Sequence, residues 1–158
     1  MPEPKVAKPK KVASTLSYYE AVGRCGEAVA RVRAYVTKKN VATVDKKEYK
    51  AGSFIVNAKE LVKAFVTIPD QLNCQKPLKL TDSTDRFVVS VKVRGGGTSG
   101  QVGAIVHGLA RALSLEPTGA DRLKMRAAGL LTRDARTRER RMVGTGGKSR
   151  RLKQSPKR

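Results

Sequence analysis

The sequence predicts an α+β domain of two layers, strands on one side and helices on the other, held between two basic arms. Three observations carry this reading. Ala28–Val36 and Arg86–Arg94 alternate apolar and polar residues with a period of two. A third segment, from Val102 onward, repeats apolar residues at helical spacing. Cations crowd both ends of the chain, where large apolar residues are scarce.

Taken in order, residues 1–16 form the first arm, with Lys5, Lys8, Lys10 and Lys11 set among prolines. The globular part spans 17–128. In its first strand Ala28, Ala30, Val32, Ala34 and Val36 share one face, while Arg31, Arg33 and Tyr35 make the other face cationic. Thr37–Gly52 holds five lysines without a strong pattern and reads as an extended hairpin or loop. Ser53–Asn57 reads as a short strand, with Asn57 turning the chain into a helix over Ala58–Val66. In Arg86–Arg94, Phe87, Val89, Val91 and Val93 form the apolar face; Val88, Ser90, Lys92 and Arg94 form a largely polar, basic one. A helix follows, with Val102, Ile105, Val106, Leu109 and Leu113 on one stripe, and Thr98 and Gln101 make a capping box at its start. A further helix runs from about Thr118 to Ala128, ended by Gly129 in a left-handed cap. Residues 129–158 form the second arm, with eight arginines and three lysines against Asp134 and Glu139.

Composition narrows the function. The 158 residues carry 34 Lys+Arg against 13 Asp+Glu, a formal net charge of +21. That excess repels itself unless a polyanion neutralises it. Arginine dominates the second arm, and its planar fork suits phosphate. Aromatic residues are only 4% and tryptophan is absent, which argues against rows of base-stacking rings. No stretch approaches the ~20 apolar residues of a membrane span, and there is no signal-peptide core. Cys25, Cys74 and His107 are too few for a closed structural zinc site, which usually takes four ligands. Both thiols read as reduced, so no metal or other cofactor is expected.

Gly95-Gly96-Gly97-Thr98-Ser99-Gly100 matches G-x-G-x-x-G between a strand and a helix. A dinucleotide site would also need a second parallel strand after the helix, yet Ser114-Leu115-Glu116-Pro117 breaks the chain there. A phosphate loop of the kinase type would need Lys and Ser or Thr where Gln101 and Val102 stand. An enzyme of either kind is therefore not expected. The loop reads instead as a close approach to an RNA phosphate at the helix N-terminus, or as a tight turn with nothing bound. His107 lies off the apolar stripe, beside Gly108 and Arg111, and reads as a polar contact to RNA or to the neighbouring chain. Asp134 and Glu139 read as local ion-pair partners of Arg133, Arg136 and Arg140.

Four blocks resemble the universal S-nine family of small-subunit ribosomal proteins in its bacterial form. They are Gly23-Arg24 with Ala28–Arg33, the run from Val93 to Leu113, Gly129–Arg136 with Glu139-Arg140-Arg141, and Lys148 to Arg158. The resemblance implies a fold of the S-five second-domain type, a four-stranded sheet backed by helices with a left-handed βαβ crossover. It also implies a non-catalytic component bound to small-subunit rRNA in the head, beside neighbouring ribosomal proteins of the cytoplasmic ribosome. Lys157 and Arg158 would then approach the peptidyl-site tRNA. The chain departs from the family pattern at Cys25-Gly26-Glu27, in a longer region over Lys38–Gly52, and at Gln154-Ser155-Pro156.

The RNA-binding residues expected on this reading are Arg24, Arg31, Arg33, Arg94, Gly95, Gly96, Gly97, Thr98, Ser99 and Arg111 in the globular part. In the arm they are Arg133, Arg136, Arg138, Arg140, Arg141, Lys148, Arg150, Arg151 and Lys153. A protein cofactor of another ribonucleoprotein particle is the alternative. A generic DNA packager fits less well, because the centre is patterned and the arm is not repetitive.

Overall fold

A computed structural model describes residues 18–37, 41–44, 47–116, 120–136 and 139–140. Its elements are β1 (Tyr18–Cys25), β2 (Ala28–Val36), β3 (Val41–Val44), β4 (Lys47–Lys50), β5 (Phe54–Val56), β6 (Lys59–Glu60), α1 (Leu61–Ala64), α2 (Ile68–Leu80), β7 (Phe87–Arg94), α3 (Thr98–Leu113) and α4 (Ala120–Ala127). Five strands make one sheet in the order β1-β2-β7-β5-β6, and β3 and β4 pair separately. All pairs are antiparallel except β5 with β7, so the chain from β5 through α1 and α2 to β7 is a crossover. The expected α+β layering is present, with five strands in place of four; the fifth, β6, is a two-residue edge.

The core lies on one face of the sheet. Ala28, Ala30, Val32 and Ala34 of β2 and Phe87, Val89, Val91 and Val93 of β7 pack there with Val102, Ile105, Leu109 and Leu113 of α3. Leu61, Phe65, Cys74, Leu78 and Met125 bring the other helices into the same cluster. Truncating Ile105 or Leu109 to alanine, both fully buried, would cost about 2–5 kcal/mol. The small inward residues of β2 let α3 lie close to the strands.

β7 departs from strict alternation, because Val88 and Ser90 on its other face are buried as well. The β3–β4 hairpin is the cause: Ala42 and Val44 cluster with Ile55 and Val88, flanked by Tyr35 and Tyr49. The lysine-rich stretch is thus the expected hairpin, and it covers part of the sheet.

Asn57 does not lead into a helix over 58–66. Asn57 and Ala58 turn the chain with positive φ of 48° and 64°, which returns it as β6, and helix forms only over Leu61–Ala64. The Asn57 side chain continues the pairing of β5 with β7: its Oδ1 accepts the Val93 N–H at 2.9 Å and its Nδ2 donates to the Val93 carbonyl at 3.1 Å.

The capping box is also corrected. Gly97, not Thr98, is the N-cap of α3 and makes no side-chain cap, while Gln101 Nε2 donates past it to the Gly95 carbonyl at 3.2 Å. The end of α4 is as expected. Gly129 has φ 71°, its N–H bonds the Arg126 carbonyl, and Leu130 N–H bonds Met125, the paired bonds of a Schellman ending.

Candidate nucleic-acid interface

The face of the sheet opposite α3 carries the exposed cations, and the strand register sorts them into rows. Arg24, Val29 and Arg94 stand side by side across β1, β2 and β7; Val22, Arg31 and Lys92 form the next row; Glu20, Arg33 and Ser90 the third; Tyr18, Tyr35 and Val88 the last. Two rows are cationic, one is balanced and one is apolar. The charge therefore gathers at the end of the sheet where β7 runs into the glycine loop.

Within these rows the arginines are not equivalent. Arg33 Nε donates to Glu20 Oε2 at 2.7 Å, and its guanidinium lies 5.0 Å from the centre of the Tyr18 ring. The hydrogen bond to Glu20 raises its pKa, so Arg33 is anchored and largely neutralised. Arg31 meets the same carboxylate only at 3.9 Å. Arg24, Lys92 and Arg94 are exposed. Lys92 was not singled out as a binding residue, although the alternation of β7 already placed it on the cationic face.

The glycine loop closes this end of the sheet. Gly95 and Gly96 have φ of 73° and 64°. A Cβ on Gly95 would lie 2.7 Å from the Glu27 carbonyl oxygen, and one on Gly96 would lie 3.0 Å from the Ala28 Cβ. These two glycines thus let the loop fold against the β1–β2 turn. Gly97 has open space around it, and Thr98 and Ser99 are exposed in the first turn of α3, where backbone amides lack helical partners.

A second group lies along the outer edge of β1. A strand edge presents unpaired N–H and C=O groups that invite wrong pairing. Here side chains of α3 engage two of them. His107 Nδ1 accepts the Arg24 N–H at 3.4 Å, and Arg111 Nη1 donates to the Val22 carbonyl. His107 and Arg111 are one helical turn apart, while Val22 and Arg24 are two residues apart on the same strand edge. Burial, then the charge of Arg111, pushes the His107 pKa down. This histidine is a neutral clasp holding helix to strand, and the polar contact expected of it falls within its own chain. Val22, Arg24, His107, Arg111 and Arg133 line a cleft of about 320 Å³ along this edge.

The arm begins beside that cleft. Asp134 takes Arg136 in a two-point grip, Nε to Oδ1 at 2.9 Å and Nη2 to Oδ2 at 2.6 Å, which holds the Asp134 carboxyl down to about 2. The expected local pairing of Asp134 therefore holds, with Arg136 as its partner. Arg133 and Arg140 are exposed. Arg138, Arg141, Lys148, Arg150, Arg151, Lys153, Lys157 and Arg158 lie outside the described residues. A larger groove of about 530 Å³, lined by Cys25, Lys76 and Arg133 among others, is electrically mixed because Asp70 and Asp134 face it too.

The family model described as ribosomal protein S9/S16 matches the chain from residue 23 to residue 158. The chain belongs to that family. The match takes in the cations of both rows, the glycine loop, α3 and the whole second arm, so this family of ribosomal proteins accounts for the four blocks read in the sequence. Its members are generally structural components and not enzymes. Among the described residues no group of three or more His, Cys, Asp or Glu could hold a metal ion. Both cysteines are free, and burial pushes the Cys74 thiol up to about 12. No helix among the described residues is long and apolar enough to cross a membrane.

Proposed function

We propose that this ribosomal protein is a non-catalytic RNA-binding component of the small subunit, seated on rRNA in the head among neighbouring ribosomal proteins of the cytoplasmic ribosome. The observation that carries the reading is the pair of cationic rows at the glycine-loop end of the sheet, in a chain of net charge +21 that belongs to a ribosomal protein family. Arg24, Arg31, Lys92, Arg94 and the amides of Gly97–Ser99 would meet phosphates. Arg111 and Arg133 would extend that contact along the β1 edge. In this reading residues 1–16 and 129–158 are arms around the 17–128 domain, and the second arm runs on between RNA helices. Its last residues, Lys157 and Arg158, approach the peptidyl-site tRNA. A left-handed sense for the β5-to-β7 crossover belongs to the same reading.

Phosphate contacts give affinity and orientation without base specificity. If the domain and arms together neutralise ~6–10 phosphates, affinity for small-subunit rRNA falls about 10³–10⁵-fold between about 50 and 200 mM salt. A filter-binding titration of the full chain reads this directly. A flat salt response would remove phosphate neutralisation as the mechanism.

A further inference from the structure

The pocket between the β3–β4 hairpin and the open face of the sheet combines cations with a tyrosine ring, which the cleft along the β1 edge lacks. It measures about 380 Å³ and is lined by Lys47 and Tyr49 of β4, Ile55 of β5, and Ser90, Lys92 and Arg94 of β7, among others. Among the described residues no carboxylate lines it, whereas the larger groove has Asp70 and Asp134 in its wall. The buried Ile55 gives its wall an apolar part, Lys47, Lys92 and Arg94 bring three cations, and Tyr49 brings an aromatic ring. The size is near the lower end of small-ligand sites, about 300–1,000 Å³. An occupant matched to these walls has a flat apolar part, hydrogen-bonding edges and a negative charge close by.

We propose that this pocket receives one unpaired nucleotide of a bound RNA, its base against Tyr49 and Ile55 and its phosphate among Lys47, Lys92 and Arg94. The inference rests on the RNA-binding reading above and adds a specificity to it. Phosphate rows alone hold any RNA helix, but a pocket that admits one base selects a helix with a nucleotide turned out of it. Scarcity of aromatic residues argues against a row of stacked bases, yet a single base needs only one ring.

The test uses the full chain and two RNA stems of the same sequence, one fully paired and one carrying a single bulged adenosine. At fixed salt the protein should bind the bulged stem about five- to a hundredfold more tightly, the range expected for one base stacked on one ring. Tyr49→Ala should abolish the preference while changing affinity for the paired stem by less than about twofold. Because Tyr49 also packs on the hairpin cluster, Lys47→Gln, at an exposed position, gives a second reading. It should shrink the preference and lower the salt slope on the bulged stem by about one. Salt-sensitive binding with equal affinity for the two stems overturns the pocket and leaves the RNA-binding reading standing, as does a preference that survives both substitutions. Salt-insensitive binding to both stems overturns the RNA-binding reading together with it.

Discussion

Gly23 of β1 and Gly108 of α3 occupy each other's side-chain space. A Cβ on Gly23 would lie 2.3 Å from the Gly108 nitrogen and 2.0 Å from the Ala104 carbonyl oxygen, and one on Gly108 would lie 3.0 Å from the Gly23 nitrogen. Helix and strand backbones therefore touch, which brings His107 and Arg111 within reach of the β1 edge. Gly23→Ala must push α3 off the sheet and should destabilise the domain by about 3 kcal/mol or more, at the upper end of overpacking costs. Gly97→Ala meets nothing within 4 Å and, as the change of an N-cap residue, should cost no more than about 1 kcal/mol. Urea unfolding of the two variants checks the contrast; equal midpoints would contradict the close contact.

The clasp at His107 carries a pH dependence. Burial and Arg111 lower its folded pKa, while the unfolded chain titrates near 6.5. Between the two values the unfolded state binds more protons, so stability rises with pH. Its contribution is fully present above the unfolded pKa and is lost as pH falls below about 6.5 toward the folded value. Urea midpoints at pH values either side of that point should drop on acidification. His107→Gln should flatten the drop, and an unchanged slope in that variant would show that the histidine titrates freely.

Glu116 is a buried carboxylate whose ion-pair partner among the described residues is Arg86. Its side chain is 3% exposed and ion-paired to Arg86, itself 55% exposed, and neither carboxylate oxygen makes a well-formed hydrogen bond among the described residues. Arg86→Ala strands the carboxylate and should cost about 1–3 kcal/mol. Replacing both residues, Arg86→Met with Glu116→Leu, should recover most of that loss. A double-mutant cycle by thermal unfolding measures the coupling, and additive losses would show that the pair contributes nothing.

Much of this architecture was legible wherever one face met the core and the other met water. β2, β7 and α3 announce themselves by period, and Gly129 by its left-handed ending. β1 did not, for a reason visible in Gly23: past the inward Tyr19, which packs on Phe87, its inward residues Ala21, Gly23 and Cys25 are small where α3 comes close, which weakens the apolar alternation. α2 stayed hidden because Pro77 sits inside it and its apolar residues divide between the buried Cys74 and Leu78 and the exposed Ile68 and Leu72. In the site, alternation placed Arg31, Arg33 and Arg94 on one face. Only the register could show that Glu20 stands opposite Arg33 and neutralises it, or that the cations fall into two adjacent rows. The glycine loop was half legible. Its match to a nucleotide motif was rejected from context, but the structural work of Gly95 and Gly96 against Glu27 and Ala28 needed coordinates.

The most direct test of the central claim is sedimentation of a cell lysate on a sucrose gradient, with every fraction probed for this chain. The account predicts that it co-migrates with the small ribosomal subunit and stays there through a moderate salt wash. Migration with free protein, or with a separate small RNA, would contradict it.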